Sequence, residues 1–202
     1  MPEKDHHIHE FGAPAEAREL RRRKRKRCLL YIVLFAVFQT GIILLFALTV
    51  MKIRTPKFRV SSVAFGAFDY SAAAANPSFN IMAIVELSVK NTNFGHYKFQ
   101  STTVYFYYNG AVVGSAYVPS WRARARSTRR ITVEVQLSSA GLVDRVQLAN
   151  DLSAGVLPVN SRSTVDGKVE LMKLVKKKKS AEMECFIAIN VVPRTVGYLS
   201  CE

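Results

Sequence analysis

Two stretches of this 202-residue chain concentrate groups able to act on a charged partner. The first, SWRARARSTRR from Ser120 to Arg130, alternates Arg122, Arg124 and Arg126 with alanine and then adds Arg129 and Arg130. On an extended backbone, residues two apart share a face at about 7 Å. The first three would then form a basic comb beside Trp121, able to grip carboxylates through two-pronged guanidinium contacts. The second is the run Lys176, Lys177, Lys178 and Lys179, which reads as a hairpin loop or a charged strand edge. Each stretch fits either a solvated basic surface or a polyanion site. The chemistry on offer is recognition, with no bond made or broken.

Reactive groups are sparse elsewhere. Past residue 51 there is one histidine, His96, in the turn after Asn93, and no G-x-S-x-G elbow or reactive-cysteine signature accompanies it. No CxxC or HExxH spacing offers a metal site. The glycines form neither G-x-G-x-x-G nor a phosphate loop, and Asp69 and Asp166 have no partner carboxylate at a useful spacing. His6, His7 and His9 read as solvated residues of a polar tail. Neither an enzyme nor a cofactor is expected.

The elements that must position the basic groups begin with a membrane span. From Arg21 the chain runs seven cations, Arg21, Arg22, Arg23, Lys24, Arg25, Lys26 and Arg27, into an apolar stretch. Alone, that block would suit a nuclear address, a nucleic-acid arm or the start of a signal peptide. Leu29 to Val50, however, carries no charge and no proline. A helix rising about 1.5 Å per residue crosses a bilayer core of about 30 Å in roughly 20 residues, whereas a signal-peptide core has about 7 to 15. Residues 29–51 are therefore expected to be an uncleaved transmembrane helix. Arg18 and Arg21 to Arg27 put eight cations close before it, and four follow closely, Lys52, Arg54, Lys57 and Arg59. The positive-inside rule then keeps residues 1–28 in the cytosol as a disordered basic tail and sends residues 52–202 across. The seven-cation flank meets anionic lipids of the cytosolic leaflet at about 1 kcal/mol per cation, and nucleic acid is not an expected partner. Cys28, at the boundary, is open to S-palmitoylation or stays a free thiol.

Residues 52–202 hold 20 Lys and Arg against 10 Asp and Glu, in a length that suits one domain with its own core. Outside a cell its acidic partners would be wall polysaccharides, lipid headgroups and acidic proteins. Strand alternation places Ile81, Ala83, Val85, Leu87 and Val89 on one face, then Ile131, Val133, Val135 and Leu137, then Met183, Cys185, Ile187, Ile189 and Val191. Asn109-Gly110 marks a two-residue hairpin, since both turn positions need positive φ. Further strands are expected at Phe58 to Phe68 and Thr164 to Lys173. One helix is expected after a Ser139 cap, with Leu142, Val143, Val146 and Ala149 at helical spacing and Gly155 as a stop. Seven or so strands make the fold mainly β, a sandwich.

The segment NPSFNIMAIVELSVKNTNFGHYKF, Asn76 to Phe99, followed by the Asn-Gly hairpin and ITVEVQL, resembles the late embryogenesis abundant group 2 domain. The order of basic tail, single span and domain looks like that family's membrane-anchored, harpin-induced-like plant branch, formerly called hydroxyproline-rich glycoproteins. The resemblance implies an immunoglobulin- or fibronectin-like sandwich over residues 57–202. It also implies a non-enzymatic role in stress or pathogen response at the plasma membrane. The chain departs from the family where Asn91-Thr92-Asn93 replaces a second Asn-Pro-Asn, and where arginines replace a Gly- or Ser-rich turn. No Asn-x-Ser/Thr acceptor is present, so N-glycosylation is not expected. Cys185 and Cys201 would pair as a disulfide in an oxidising lumen and remain free thiols in the cytosol; paired C-terminal cysteines are similar to those of this branch. A second reading makes the sandwich a lipid-binding or tethering domain, holding an acyl chain between its sheets or contacting anionic bilayers.

Overall fold

The uncharged apolar run from Leu29 continues a helix that begins at Pro14 and takes in the basic block, making one long α1 (Pro14–Val50) of 37 residues. The computed structural model describes residues 14–50, 52–171 and 175–202, and the chain divides into two compact units, Met1–Thr49 and Val50–Glu202. Residues 14–28, expected as disordered, are helical. Alanine, glutamate, leucine, arginine and lysine there are good helix formers, and proline suits a first turn. Within α1, Arg21–Thr49 is long and apolar enough to cross a membrane, a property shared with signal sequences. His6, His7 and His9 lie outside the described residues.

The second unit carries ten described strands and one helix. Its smaller sheet pairs β1 (Lys57–Ser71), β2 (Ser78–Asn91) and β7 (Ser127–Ser138) in the order β1-β2-β7, all antiparallel. Its larger sheet of seven contains β3 (His96–Phe99), β4 (Thr102–Tyr108), β5 (Ala111–Val118), β6 (Trp121–Ala123), β8 (Val156–Leu171), β9 (Val175–Asn190) and β10 (Thr195–Cys201). The order β10-β9-β8-β3-β6 runs across it, and β4 takes the flank of β8 that β3 leaves free, with β5 beyond. All three alternating rows expected from sequence face the interior, Ile131 less completely than the rest. Asn109 and Gly110 have φ of 45° and 80° and turn β4 into β5 as the Asn-Gly pair predicts. The space between the sheets is filled by Phe58, Ile81, Leu87, Phe106, Leu137 and Leu157 among others.

The helix departs from its expected form. α2 spans Arg145–Ala154, and its cap is Asp144, whose carboxylate accepts from the Gln147 N–H. Ser139 instead bonds across to β2, its hydroxyl exchanging hydrogen bonds with the backbone of Phe79. Val143 lies before the helix, and it and Val146 are exposed; Leu148 and Leu152 form the buried face. Gly155 does stop the helix, with φ 82°.

Candidate functional site

The chain arrives at the domain through residues 52–56 and is fixed there by two buried amides. Asn93 Nδ2 donates to the Arg54 carbonyl at 2.8 Å while the Arg54 N–H donates to Asn93 Oδ1 at 2.6 Å, so a side chain imitates a strand pair. Asn91 Oδ1 accepts from the Asn93 backbone N–H and from its Nδ2, each at 3.0 Å. Asn91 Nδ2 donates to the carbonyls of Gly95 at 2.7 Å and Arg124 at 3.0 Å, and the Asn93 carbonyl accepts from Arg126 N–H at 3.0 Å. An amide unpaired at this depth would cost about 1 to 3 kcal/mol. Three segments, 52–56, 94–96 and 124–126, are thereby held at one end of the domain, its root.

Strand register gathers charge at that root. Of the domain's 20 Lys and Arg, 16 lie in residues 52–56, in the turn after β6 or in the root half of the strands. Of its 10 Asp and Glu, four do: Glu86, Asp166, Glu170 and Glu182. In the opposite half the described charges are Arg145, Arg162 and Arg194 against six acids. The domain is electrically polarised along its strands.

Within the root half, four cations share one row of the larger sheet. Arg122 on β6 lies opposite Lys98 on β3, Lys98 opposite Lys168 on β8, and Lys168 opposite Lys178 on β9. All four are exposed on the outer face, since their strand neighbours Tyr97, Ala123 and Val169 are buried. Neighbouring strands stand about 4.8 Å apart, so the row is a ladder of like charges, an arrangement that destabilises a sheet. Lys98 Nζ is 2.8 Å from Glu170 Oε2. That hydrogen bond holds the Glu170 carboxyl below the usual carboxylate range, against the opposing effect of its burial, with further help from Lys176 and His96. A cleft of about 520 Å³ over Lys98, Lys168 and Lys178 is lined also by Gln100, Asp166, Glu170 and Ser180, and the Ser180 hydroxyl donates to Asp166 at 2.6 Å. A larger trough of about 810 Å³, lined by Tyr105, Arg162, Glu182, Glu184 and others, lies farther from the root; its acids outnumber its arginine.

Two features hold β3 in this register. The buried Tyr97 hydroxyl donates to the carbonyls of Val165 and Lys179, 3.0 Å to each. Gly167 lies beneath that ring, where an added Cβ would come within 2.5 Å of both Tyr97 Cε2 and the Lys98 carbonyl oxygen.

The basic stretches expected from sequence are largely exposed; the lysine run takes the strand-edge form, one of its two expected forms, while the arginine stretch departs from its own. Arg122 is on β6, Arg124 follows that strand and Arg126 turns at φ 50°, so the three do not share one extended face and there is no comb. Two arginine side chains cover aromatic rings: Arg126 lies 4.8 Å from the Phe94 centroid and Arg129 lies 4.3 Å from Trp121. Arg130 reaches Glu86 at 3.7 Å. Lys176, Lys177, Lys178 and Lys179 are not a hairpin loop; they are strand residues opposite Glu170, Val169, Lys168 and Gly167. β10 hydrogen-bonds β9 only from Glu184 onward, so the four lysines line an edge among the described residues. His96 heads β3 rather than lying in a turn, exposed and opposite Glu170. Lys98 and Lys168 were missed because neither belongs to a run of cations in the sequence, and only pairing unites them.

Cys185 on β9 and Cys201 on β10 are register partners and form a disulfide, S–S 2.02 Å and Cα–Cα 4.0 Å. Cys28 is a free, exposed thiol on α1, adjoining the block Arg21 to Arg27.

A family model described as late embryogenesis abundant protein matches residues 86–186. The chain is 29% identical over 178 residues to a late embryogenesis abundant protein of Arabidopsis thaliana, covering 87% of this chain and 83% of that one. It is also similar to the solution structure of an Arabidopsis thaliana protein, with 14% identity, TM-score 0.39, and coverage of 68% of this chain and 83% of that one. A crystal structure of a protein from Archaeoglobus fulgidus gives 12% identity and TM-score 0.32, covering 61% of this chain and 94% of that one.

Proposed function

The chain belongs to the late embryogenesis abundant protein family, and from that premise we propose a single-pass, membrane-anchored, non-enzymatic binding protein of plant stress and pathogen response. Its N-terminus lies in the cytosol, with Arg21 to Arg27 against anionic lipid, and its basic sandwich stands outside the plasma membrane facing acidic wall polysaccharide or acidic protein. The observation that carries the reading is the polarisation of the domain, 16 of 20 cations in the root half. A surface that concentrates one sign of charge raises the local concentration of opposite charge and steers its approach. The disulfide between Cys185 and Cys201 fits an oxidising compartment. The alternative, an acyl chain held between the sheets, gains no support from an interior filled by side chains.

Topology tests this reading. A C-terminally tagged protein in sealed microsomes is treated with protease, with and without detergent, and its thiols are alkylated before and after reduction. Protection of the domain, with Cys185 and Cys201 alkylated only after reduction, is the expected result. Digestion without detergent would place the domain in the cytosol and sink the wall-facing role.

A further inference from the structure

We propose that the row Arg122, Lys98, Lys168 and Lys178 is a binding site for a linear acidic polysaccharide carrying one carboxylate per sugar, laid across the strands of the larger sheet. This rests on the polyanion-binding reading above and narrows it to named residues and one ligand class. Like charges placed directly opposite one another weaken a sheet, and the row stacks four of them on consecutive strands. Among the described residues only Lys98 of the four has a carboxylate within ion-pair distance, that of Glu170. The fold therefore carries an electrostatic cost that Glu170 relieves at Lys98 alone, and an external polyanion would relieve the rest.

Geometry selects the polyanion. The row advances one cation per strand, about 4.8 Å, and runs about 14 Å in all. That step is comparable with the length of one pyranose unit, so successive uronate carboxylates can meet successive cations. Gln100, Asp166 and Ser180 line the same cleft and offer hydrogen bonds to sugar hydroxyls. A bilayer is a poorer match, because the row is a single line of cations one strand apart, whereas lipid headgroups would call for a broad basic surface. The trough farther from the root, with three glutamates and one arginine, would repel the same polymer.

The test uses the full chain in nanodiscs of neutral phosphatidylcholine. Binding is read by isothermal titration calorimetry, because Trp121 shares the strand face of Phe99 and Ala123 and not that of Arg122. Oligogalacturonates of one to eight sugars are titrated against wild type, the double variant Lys168→Gln/Lys178→Gln and the control Arg124→Gln/Arg126→Gln. The monomer is expected not to bind, and affinity should rise steeply up to four sugars. The row variant should bind about tenfold more weakly, two exposed ion contacts being lost, while the control stays within about twofold. The row variant should also melt at a higher temperature than wild type, because removing two stacked charges relieves repulsion. Unchanged oligogalacturonate binding by the row variant would overturn the site while leaving polyanion binding intact. Absence of binding by wild type would overturn both. If instead the row variant loses binding to vesicles containing phosphatidylglycerol and wild type takes up no oligogalacturonate, the row serves lipid phosphate and the proposal is wrong.

Discussion

At the scale of single residues, the two root asparagines and Tyr97 matter most, because each satisfies several backbone groups at once. Asn93→Ala removes both hydrogen bonds to Arg54 and strands one on Asn91. A loss of about 2 to 3 kcal/mol is expected, read as a lower urea midpoint, together with faster proteolysis of residues 52–56. Tyr97 gives a pH signature. Burial first, and the nearby Asp166 charge second, push its hydroxyl from about 10 up to about 12. The folded state therefore holds that proton more tightly than the unfolded chain does. Its contribution is complete below about pH 10 and is lost as pH rises toward 12. Alkaline unfolding monitored by circular dichroism should show this loss in wild type. Tyr97→Phe should be less stable at pH 7 and flatter between pH 10 and 12; an equally steep decline in the variant would assign the alkaline transition to another group.

At the scale of elements, period-two alternation made β2, β7 and β9 legible, because burial of one face is a local rule written into each strand. The Asn109-Gly110 turn was legible for the same reason, its backbone demand being met by two adjacent residues. Register was not legible. Lys98, Lys168 and Lys178 sit in strands up to 80 residues apart, and no local rule says that they share a row. The short strands β3 and β6 escaped because four and three residues are too few for a period. The comb failed because alternation was read as extended backbone where the chain turns. The α2 cap was misplaced because Ser139 and Asp144 are both acceptable caps, and the cross-strand demand of Phe79 decided between them. Gly167→Ala tests the β3–β8 contact: the new Cβ would press on the Lys98 carbonyl and the Tyr97 ring. A cost of about 1 to 3 kcal/mol is expected, with faster amide exchange in β3. The disulfide ties β10 to β9 across a separation of 16 residues, a closure worth about 3 kcal/mol in the chain-entropy picture. Reductant should lower the melting temperature of wild type to that of Cys201→Ser, and exchange should rise first in β10.

At the scale of the whole molecule, the uneven spread of charge should govern the response to salt. Between 0.1 and 1 M the Debye length falls from about 10 to about 3 Å, less than the spacing between neighbouring strands. Repulsion at the root is then screened, so the melting temperature of the domain should rise by several degrees. The rise should be smaller for Lys168→Gln/Lys178→Gln; a fall on adding salt would show that attraction dominates the root. The amide clasp on Arg54 also has a mechanical consequence. A pull arriving through residue 50 enters at Arg54, crosses Asn93 and Asn91, and passes through Gly95 into β3, which carries Lys98. Tension applied between residues 52–56 and Lys98 would thus follow a short route along the root. The strand pairs flanking β3 would bear it in shear, and α2 and the opposite end of the sandwich would stay unloaded.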